Sequence, residues 1–354
     1  MKKSVLIFIV FSAFTVNAQI GGNGVYDFLN LTNSARIAAL GGVNISVYDD
    51  DLNFAKENPA LLNSGMNKKA VLNYVNYFAG INYGYAGYAD NFKKFGTVSL
   101  GIQYVNYGSF IAADETGIIT GDFNASDYAL NIIWSKQLFK NITGGINLKP
   151  VYSHLESYNS FGIAADIGIS YIKEETDFAA SLVLKNIGTQ IKPYYESHYE
   201  SVSFDIQAGL SKKLAHAPFR IHLTAHHLNK WDLLYDAPEE VTQISFAQES
   251  DDAESNDALY DFLDNLARHF IIGTDFLPLK SFYASIGYNH QRHQEMKLTD
   301  KSGFSGFSWG FGLKLKKTGF SFGRATYSLA GASNHFSVYF DVSKFGKKAK
   351  IEIN

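Results

Sequence analysis

Phe307-Ser308-Trp309-Gly310-Phe311-Gly312-Leu313-Lys314 is the stretch on which the fold turns. Phe307, Trp309, Phe311 and Leu313 alternate with small or polar residues, and a period of two puts the two sets on opposite faces of a strand. Together with Gly306, the run also fits G-x-S-x-G, the nucleophile elbow of α/β hydrolases. That chemistry needs its serine on a sharp strand-to-helix turn. Here Ser308 stands mid-strand in clean alternation, so the strand reading prevails.

The same pattern extends outward from this stretch. In the last segment Phe336, Val338, Phe340 and Val342 oppose Ser337, Tyr339 and Asp341. Earlier, Val98, Leu100, Ile102 and Tyr104 oppose Ser99, Gly101 and Gln103, and Val105 is expected to break the alternation near the strand end. Segments of this kind fall at 69–79, 82–91, 94–107, 126–139, 142–157, 161–173, 177–188, 201–213, 217–230, 268–278, 281–294, 304–316, 318–331 and 334–345. That makes fourteen, an even number as a closed up-and-down barrel requires. Most exceed the ~5–6 residues of globular strands and match the ~9–11 tilted residues of a bilayer crossing.

The connections support the same reading. One alternate set is short, around Phe92-Lys93-Lys94, Lys140-Asn141, Glu174-Glu175-Thr176, Ala215-His216, Leu279-Lys280 and Lys317. The other set holds every long connection, at 108–125, 189–200, 231–267 and 295–303. Outer-membrane barrels have short periplasmic turns and long external loops, whereas a soluble β-sandwich would scatter its loop lengths. The expected fold is therefore an all-β membrane protein: a 14-stranded antiparallel outer-membrane β-barrel over 67–345, with long loops at the cell surface and both termini periplasmic. Residues 346–354 form the expected periplasmic tail.

Composition agrees. The chain of 354 residues carries 28 Phe, 22 Tyr and 30 Gly but only 6 Pro, which suits long strands with interfacial aromatic anchors. Its mean hydropathy of -0.10 is what a barrel gives when only every second residue faces lipid. A net charge of -3 supplies no basic surface for nucleic acid. The absence of Cys excludes a disulfide framework and Cys-ligated metal. Lys2-Lys3, the apolar run Val5–Val16 and the small residues of Val16-Asn17-Ala18 read as a signal peptide over 1–18, so that the mature chain begins at Gln19. The run is too short for the ~20 residues of a spanning helix, and no later stretch reaches that length.

Residues 28–62 differ from all that follows. Ser34 is placed to cap a short helix over Ala35 to Leu40, and Gly41-Gly42 to end it in the left-handed region. Asn58-Pro59 closes a second short segment, because the residue before proline is pushed out of the helical region. Asp49-Asp50-Asp51 reads as an acidic turn at a helix N-terminus. Such a compact, non-β stretch, taken as 19–66, is what a barrel with an N-terminal plug or hatch containing short helices would need. Its motif residues are Ser34, Arg36, Leu40, Gly41, Gly42, Asn58 and Pro59.

The same stretch resembles a known family. "FLNLTNSARIAALGGVNIS" together with Asn58-Pro59-Ala60-Leu61 resembles the N-terminal region of the PorQ family, with the PorV proteins as relatives. Both belong to the type IX protein secretion machinery and to the wider FadL-type outer-membrane barrel superfamily. The resemblance implies an outer-membrane secretion component. It implies PorZ-like attachment-complex proteins as partners, alongside the sortase-like PorU and its PorV partner. FadL-type membership implies an alternative, transport of hydrophobic small molecules past the hatch. A PorV-like cargo shuttle is a further alternative within the same system.

Other candidates are weaker. The loop 231–267 holds eleven of the 34 acidic residues, and Leu259, Phe262, Leu263 and Leu266 recur in it at helical spacing. A loop of that length is functional or disordered. Trp231, Leu233, Leu234, Tyr235, Phe246 and Tyr260 are its candidate partner-binding residues. At ~3.3 Å per residue His222 and His226 stand too far apart to share an ion, and His227 points to the other face, so an aqueous strand end is expected for them. The acidic run Asp251-Asp252-Ala253-Glu254 lacks the glycine and spacing of an EF-hand loop. No catalytic residue, cofactor site or metal site is assigned. The expected partners are outer-membrane lipid and secretion-system proteins.

Overall fold

The structure, a computed structural model, describes residues 24–196, 198–234, 252–296, 303–328 and 331–344. The expected signal peptide 1–18 and the C-terminal tail 346–354 lie outside the described residues. Fourteen strands form a closed barrel: β1 (Lys69–Asn76), β2 (Asn82–Phe92), β3 (Gly96–Ala113), β4 (Ile119–Phe139), β5 (Ile142–Leu155), β6 (Tyr158–Lys173) and β7 (Phe178–Lys192) make one half. The other half is β8 (Asp205–Lys213), β9 (Phe219–Ala225), β10 (Phe270–Leu279), β11 (Phe282–Asn289), β12 (Phe307–Lys314), β13 (Thr318–Ser328) and β14 (Gly331–Asp341). Each strand is antiparallel to its neighbours in sequence. The seam is closed by β1 and β14, in register from Lys69 opposite Asp341 to Asn76 opposite Asn334.

The wall has the polarity of a membrane barrel. Leu72, Leu100, Ile102, Ile167, Ile286 and Trp309 face outward and are exposed, while Ser99, Gln103, Asn131, Asn147 and Asp166 face inward and are buried. In water that arrangement would forgo about 25 cal/mol for each Å² of outward apolar surface. A bilayer around the wall removes the cost. Among the described residues no helix is long and apolar enough to cross a membrane, so a crossing falls to the strands.

Several expectations need correction. The expected loop 108–125 is mostly strand, because β3 and β4 continue past the apolar band as a paired hairpin and turn only at 114–118. The expected strand 281–294 ends at Asn289 and continues as a helix, His290–Met296. Val105 does not break the alternation of β3. It keeps the inward phase and is apolar because it joins a cluster with Val25, Tyr26 and Phe28 inside the barrel.

The described parts of the long connections, 193–196, 198–204, 226–234, 252–269, 290–296 and 303–306, lie opposite the end that holds the six short turns. We call these the loop end and the turn end. Residues 24–68 run inside the barrel between them. At the loop end the Val25 amide donates to Ser201 O (2.9 Å), and Val25 bridges Val202. At the turn end the Lys68 amide donates to Ala89 O (2.8 Å) and β1 begins. The inner segment therefore enters from the loop end and β14 ends at the turn end, and the termini themselves lie outside the described residues.

Candidate functional site: a charge-locked interior and a helix at the loop end

The inner segment is built from short pieces: a 3-10 turn Asp27–Asn30, helices α1 (Ala35–Ala39) and α2 (Asn53–Glu57), and 3-10 turns Pro59–Leu61 and Ser64–Met66. Ser34 occupies the N-cap position of α1 but makes no side-chain cap. The wall supplies the acceptor instead, and the Ala35 amide donates to Ser337 Oγ at 3.0 Å. Gly41 and Gly42 both have φ near +100° and end the helix as expected. Asn58 is extended and caps the next turn through Ala60 N–H (2.9 Å), while its Nδ2 donates to Ile45 O (2.8 Å) and Ser170 Oγ (3.0 Å).

Wall glycines let this backbone approach. A Cβ on Gly323 of β13 would sit 2.1 Å from Ala35 O, and one on Gly145 of β5 would sit 2.4 Å from the Pro59 carbonyl carbon. Leu40 lies against Gly273 and Gly287. Gly41 O accepts from Arg292 Nη2 at 3.0 Å.

Charge then fixes the segment. Arg36, fully buried, donates to Asp49 Oδ2 within the segment and to Asp275 Oδ2 of β10, both at 2.7 Å. Arg220 reaches Asp49 at 3.3 Å, and His222 Nε2 lies 3.2 Å from Asp275. The Arg36 guanidinium also stands 4.5 Å from the Tyr283 ring centre and 5.2 Å from that of Phe54. Burial alone would raise the Asp49 carboxyl. Arg36, Lys314 and Arg220 outweigh it and hold Asp49 well below the usual carboxylate range. Of the acidic turn, only Asp51 serves α2 as expected, accepting from Asn53 N–H (3.1 Å). Asp50 pairs with Lys69 and Lys314.

A second lock lies across the lumen. Glu57 accepts from Lys185 Nζ at 2.7 Å, and Lys56 stands 3.7 Å from the same carboxylate. Burial pushes the Lys56 ammonium down to about 8, against the pull of Glu57. In the wall beside them Lys149 donates to Asp166 (2.6 Å), and Asn186 Nδ2 donates to Asn30 Oδ1 of the inner segment (2.8 Å). None of these wall partners was expected. A charge at an inward strand position, as at Lys149, Asp166, Lys185 and Asp275, is the signal that would have found them.

Toward the loop end the lumen becomes apolar. Val25, Tyr26, Phe28 and Leu29 pack against Val75, Tyr83, Val105, Ala129, Val151 and Ala164 of the wall. The Tyr26 hydroxyl bonds to Ser160 Oγ at 2.5 Å.

Above this plug-like core stand α3 (Asp252–Arg268) and α4 (His290–Met296). The expected short amphipathic helix is thus a 17-residue one. Its base is fixed: Asn265 accepts from Leu233 N–H and donates to Trp231 O, both at 2.8 Å, and Asp264 joins Arg268 (2.8 Å) to His290 (2.7 Å). Leu259, Tyr260, Phe262 and Leu263 are all at least half exposed, and Trp231, also exposed, packs its ring 5.6 Å from Phe262. Of the candidate partner-binding residues, Trp231 and Tyr260 are therefore open and Leu234 is half-buried. Leu233 is 3% exposed, and its backbone bonds to Asn265 and Arg268 of α3. Tyr235 and Phe246 lie outside the described residues.

The remaining motifs sit in the wall. Ser308 faces inward near the start of β12 rather than mid-strand, and its Oγ accepts from Arg292 (3.2 Å). His222 faces into the lumen within β9, not at an aqueous end. His226 and His227 follow that strand's last residue, with His226 buried. Among the described residues no group of three His, Asp or Glu side chains is placed to hold a metal ion.

No protein-family model matches the chain, and no curated protein matches it by sequence. Solved structures do match. The Ralstonia pickettii toluene transporter TbuX aligns over 88% of this chain and 97% of its own, at 10% identity and a TM-score of 0.50. A deltaS2 mutant of the TodX monoaromatic hydrocarbon channel aligns over 88% and 97%, at 11% identity and a TM-score of 0.50. A Pseudomonas aeruginosa FadL homologue aligns over 88% and 98%, at 7% identity and a TM-score of 0.44. At these identities the likeness bears on the fold alone, a closed antiparallel barrel of the kind seen in TbuX and TodX.

Proposed function

We propose that this chain is an integral outer-membrane barrel, plugged by its N-terminal stretch, that acts as a docking post for a secreted surface protein. The observation that carries the reading is the open apolar face of α3 beside Trp231, held on a hydrogen-bonded base at the loop end. Two features support it. The lumen is occupied by a segment tied to opposite walls through Arg36–Asp275 and Glu57–Lys185, so the work of the molecule falls to its rim. The resemblance of residues 28–62 to the PorQ family implies a place in type IX secretion, with a PorZ-like surface protein as partner. No enzymatic role is proposed.

The test is co-purification with the tagged barrel from detergent-solubilised outer membrane, comparing wild type with Phe262→Ala/Leu263→Ala. Loss of a central apolar anchor costs ~2 kcal/mol or more in such interfaces, so affinity for the partner should fall by about thirtyfold. Purification of the wild-type barrel without a partner would defeat the reading. Capture of many secreted proteins in transit, rather than one stable partner, would favour the PorV-like shuttle.

A second reading is favoured by the solved structures, two of which are described as a toluene transporter and a monoaromatic hydrocarbon channel. In it residues 24–66 are a hatch, and the apolar chamber now filled by Val25–Leu29 admits a hydrophobic small molecule. It requires the inner segment to move. The docking reading does not.

A further inference from the structure

The two ends of the barrel carry opposite charge. Among the described residues, the loop-end stretches 77–81, 114–118, 156–157, 193–196, 198–204, 226–234, 252–269, 290–296 and 303–306 hold 12 acidic and 3 basic side chains. At the turn end the balance reverses. Each of the six short turns has a lysine in it or within two residues of it: Lys94, Lys140, Lys173, Lys212, Lys280 and Lys316. All six are exposed, and none is in an ion pair among the described residues. Of the acidic groups nearby, Asp50 is engaged by Lys69 and Lys314, Asp341 by Lys344 and Asp177 by Lys213, while Glu174 and Glu175 share the β6–β7 turn with Lys173.

The depth of this ring says what it meets. Phe139 precedes Lys140, Leu279 precedes Lys280 and Leu315 precedes Lys316, and these three apolar residues are 65–69% exposed on the outer face. Phe92 and Phe95, also exposed, bracket Lys93-Lys94. The ammonium groups therefore emerge where the lipid-facing band ends, and lysines at that level reach for headgroups rather than for bulk water.

We propose that the turn end of the barrel binds anionic phospholipid headgroups, with one lysine of each turn as an independent contact. The inference rests on the reading of the wall as membrane-spanning with its short turns periplasmic. It then assigns the inner leaflet around the barrel a composition different from the bulk.

The experiment reconstitutes the full mature chain into vesicles of phosphatidylethanolamine and phosphatidylglycerol in equal amounts. Mild detergent extraction follows, and the co-purified lipid is read by mass spectrometry. Wild type should retain phosphatidylglycerol about fivefold over phosphatidylethanolamine, the fold-change of the ~1 kcal/mol contributed by a lysine at an anionic surface. A variant with the six lysines changed to Gln should retain the two equally, and heat-modifiable gel mobility checks that it is folded. Retention in bulk proportion by the wild type, or undiminished enrichment in the variant, overturns the proposal. So does release of the lipid by inorganic phosphate but not by chloride at matched ionic strength, which would mark a general phosphate site. Preferential binding of soluble poly-glutamate would point to an acidic protein instead. A barrel that fails to enter vesicles at all would overturn the membrane reading beneath it.

Discussion

Arg36 is the residue on which the interior turns. It joins one carboxylate of its own segment to one of β10 at 2.7 Å each, closer than Arg220 reaches either, at 3.3 and 3.9 Å. Removing one partner of a buried pair leaves the other charge uncompensated, at a cost of ~3–5 kcal/mol. Arg36→Leu should lose stability on that order, read as a lower temperature for the heat-modifiable shift. An unchanged transition would mean the pairs are incidental. Acid should act on the same lock. The Asp49 carboxyl is depressed in the fold, so its stabilising contribution is complete above the ordinary carboxylate pKa of ~3.9 and fades as pH falls below it. Wild type should lose stability over that acid range more steeply than Asp49→Asn, measured across a pH series. The sequence showed Arg36 as part of a motif but not what it touches. Alternation assigns a side chain to a face, and Asp275 meets Arg36 only because the barrel closes.

At the scale of elements, the strands were legible because a membrane wall imposes a strict two-residue period, and all fourteen follow from it. The errors fall where that constraint ends. Beyond the apolar band both faces of the β3–β4 hairpin meet water, so Phe110, Ile111 and Asp122 show no alternation although they remain paired. The helix after β11 escapes a period-based reading because His290–Met296 carries no apolar stripe to reveal its period. The inner segment was legible as non-β from Gly41-Gly42 and Asn58-Pro59, while its route between the two ends was not. Its mobility is open to a direct test. A Cβ added at Gly273 would lie 3.4 Å from that of Leu40, close to disulfide range. Leu40→Cys/Gly273→Cys should form a cross-link in a chain that has no other cysteine. If the segment is a static plug, oxidation leaves partner capture unchanged. Loss of hydrocarbon uptake on oxidation, restored by reduction, would establish the hatch reading instead.

For the whole molecule, the absence of native cysteine also makes topology measurable. Glu115→Cys marks the loop end and Lys94→Cys the turn end, both at exposed positions. A membrane-impermeant maleimide added to intact cells should label the first and not the second. The reverse pattern would invert the proposed orientation. The inner segment has one more consequence, which is mechanical. Wall strands bond only to their neighbours, so a bare ring of fourteen resists flattening weakly. Residues 24–66 touch β5 and β6 at Asn58-Pro59, β10 at Arg36 and β13 at Ala35, spanning the cross-section as spokes do. Densely packed interiors transmit load rather than absorb it. A pull on α3 should therefore be carried across the diameter as well as around the rim. Arg36→Leu should accordingly speed hydrogen exchange in β5, β6 and β13 together, although β5 and β6 lie on a distant part of the ring. A barrel stiffened in this way holds its outline under a sideways load.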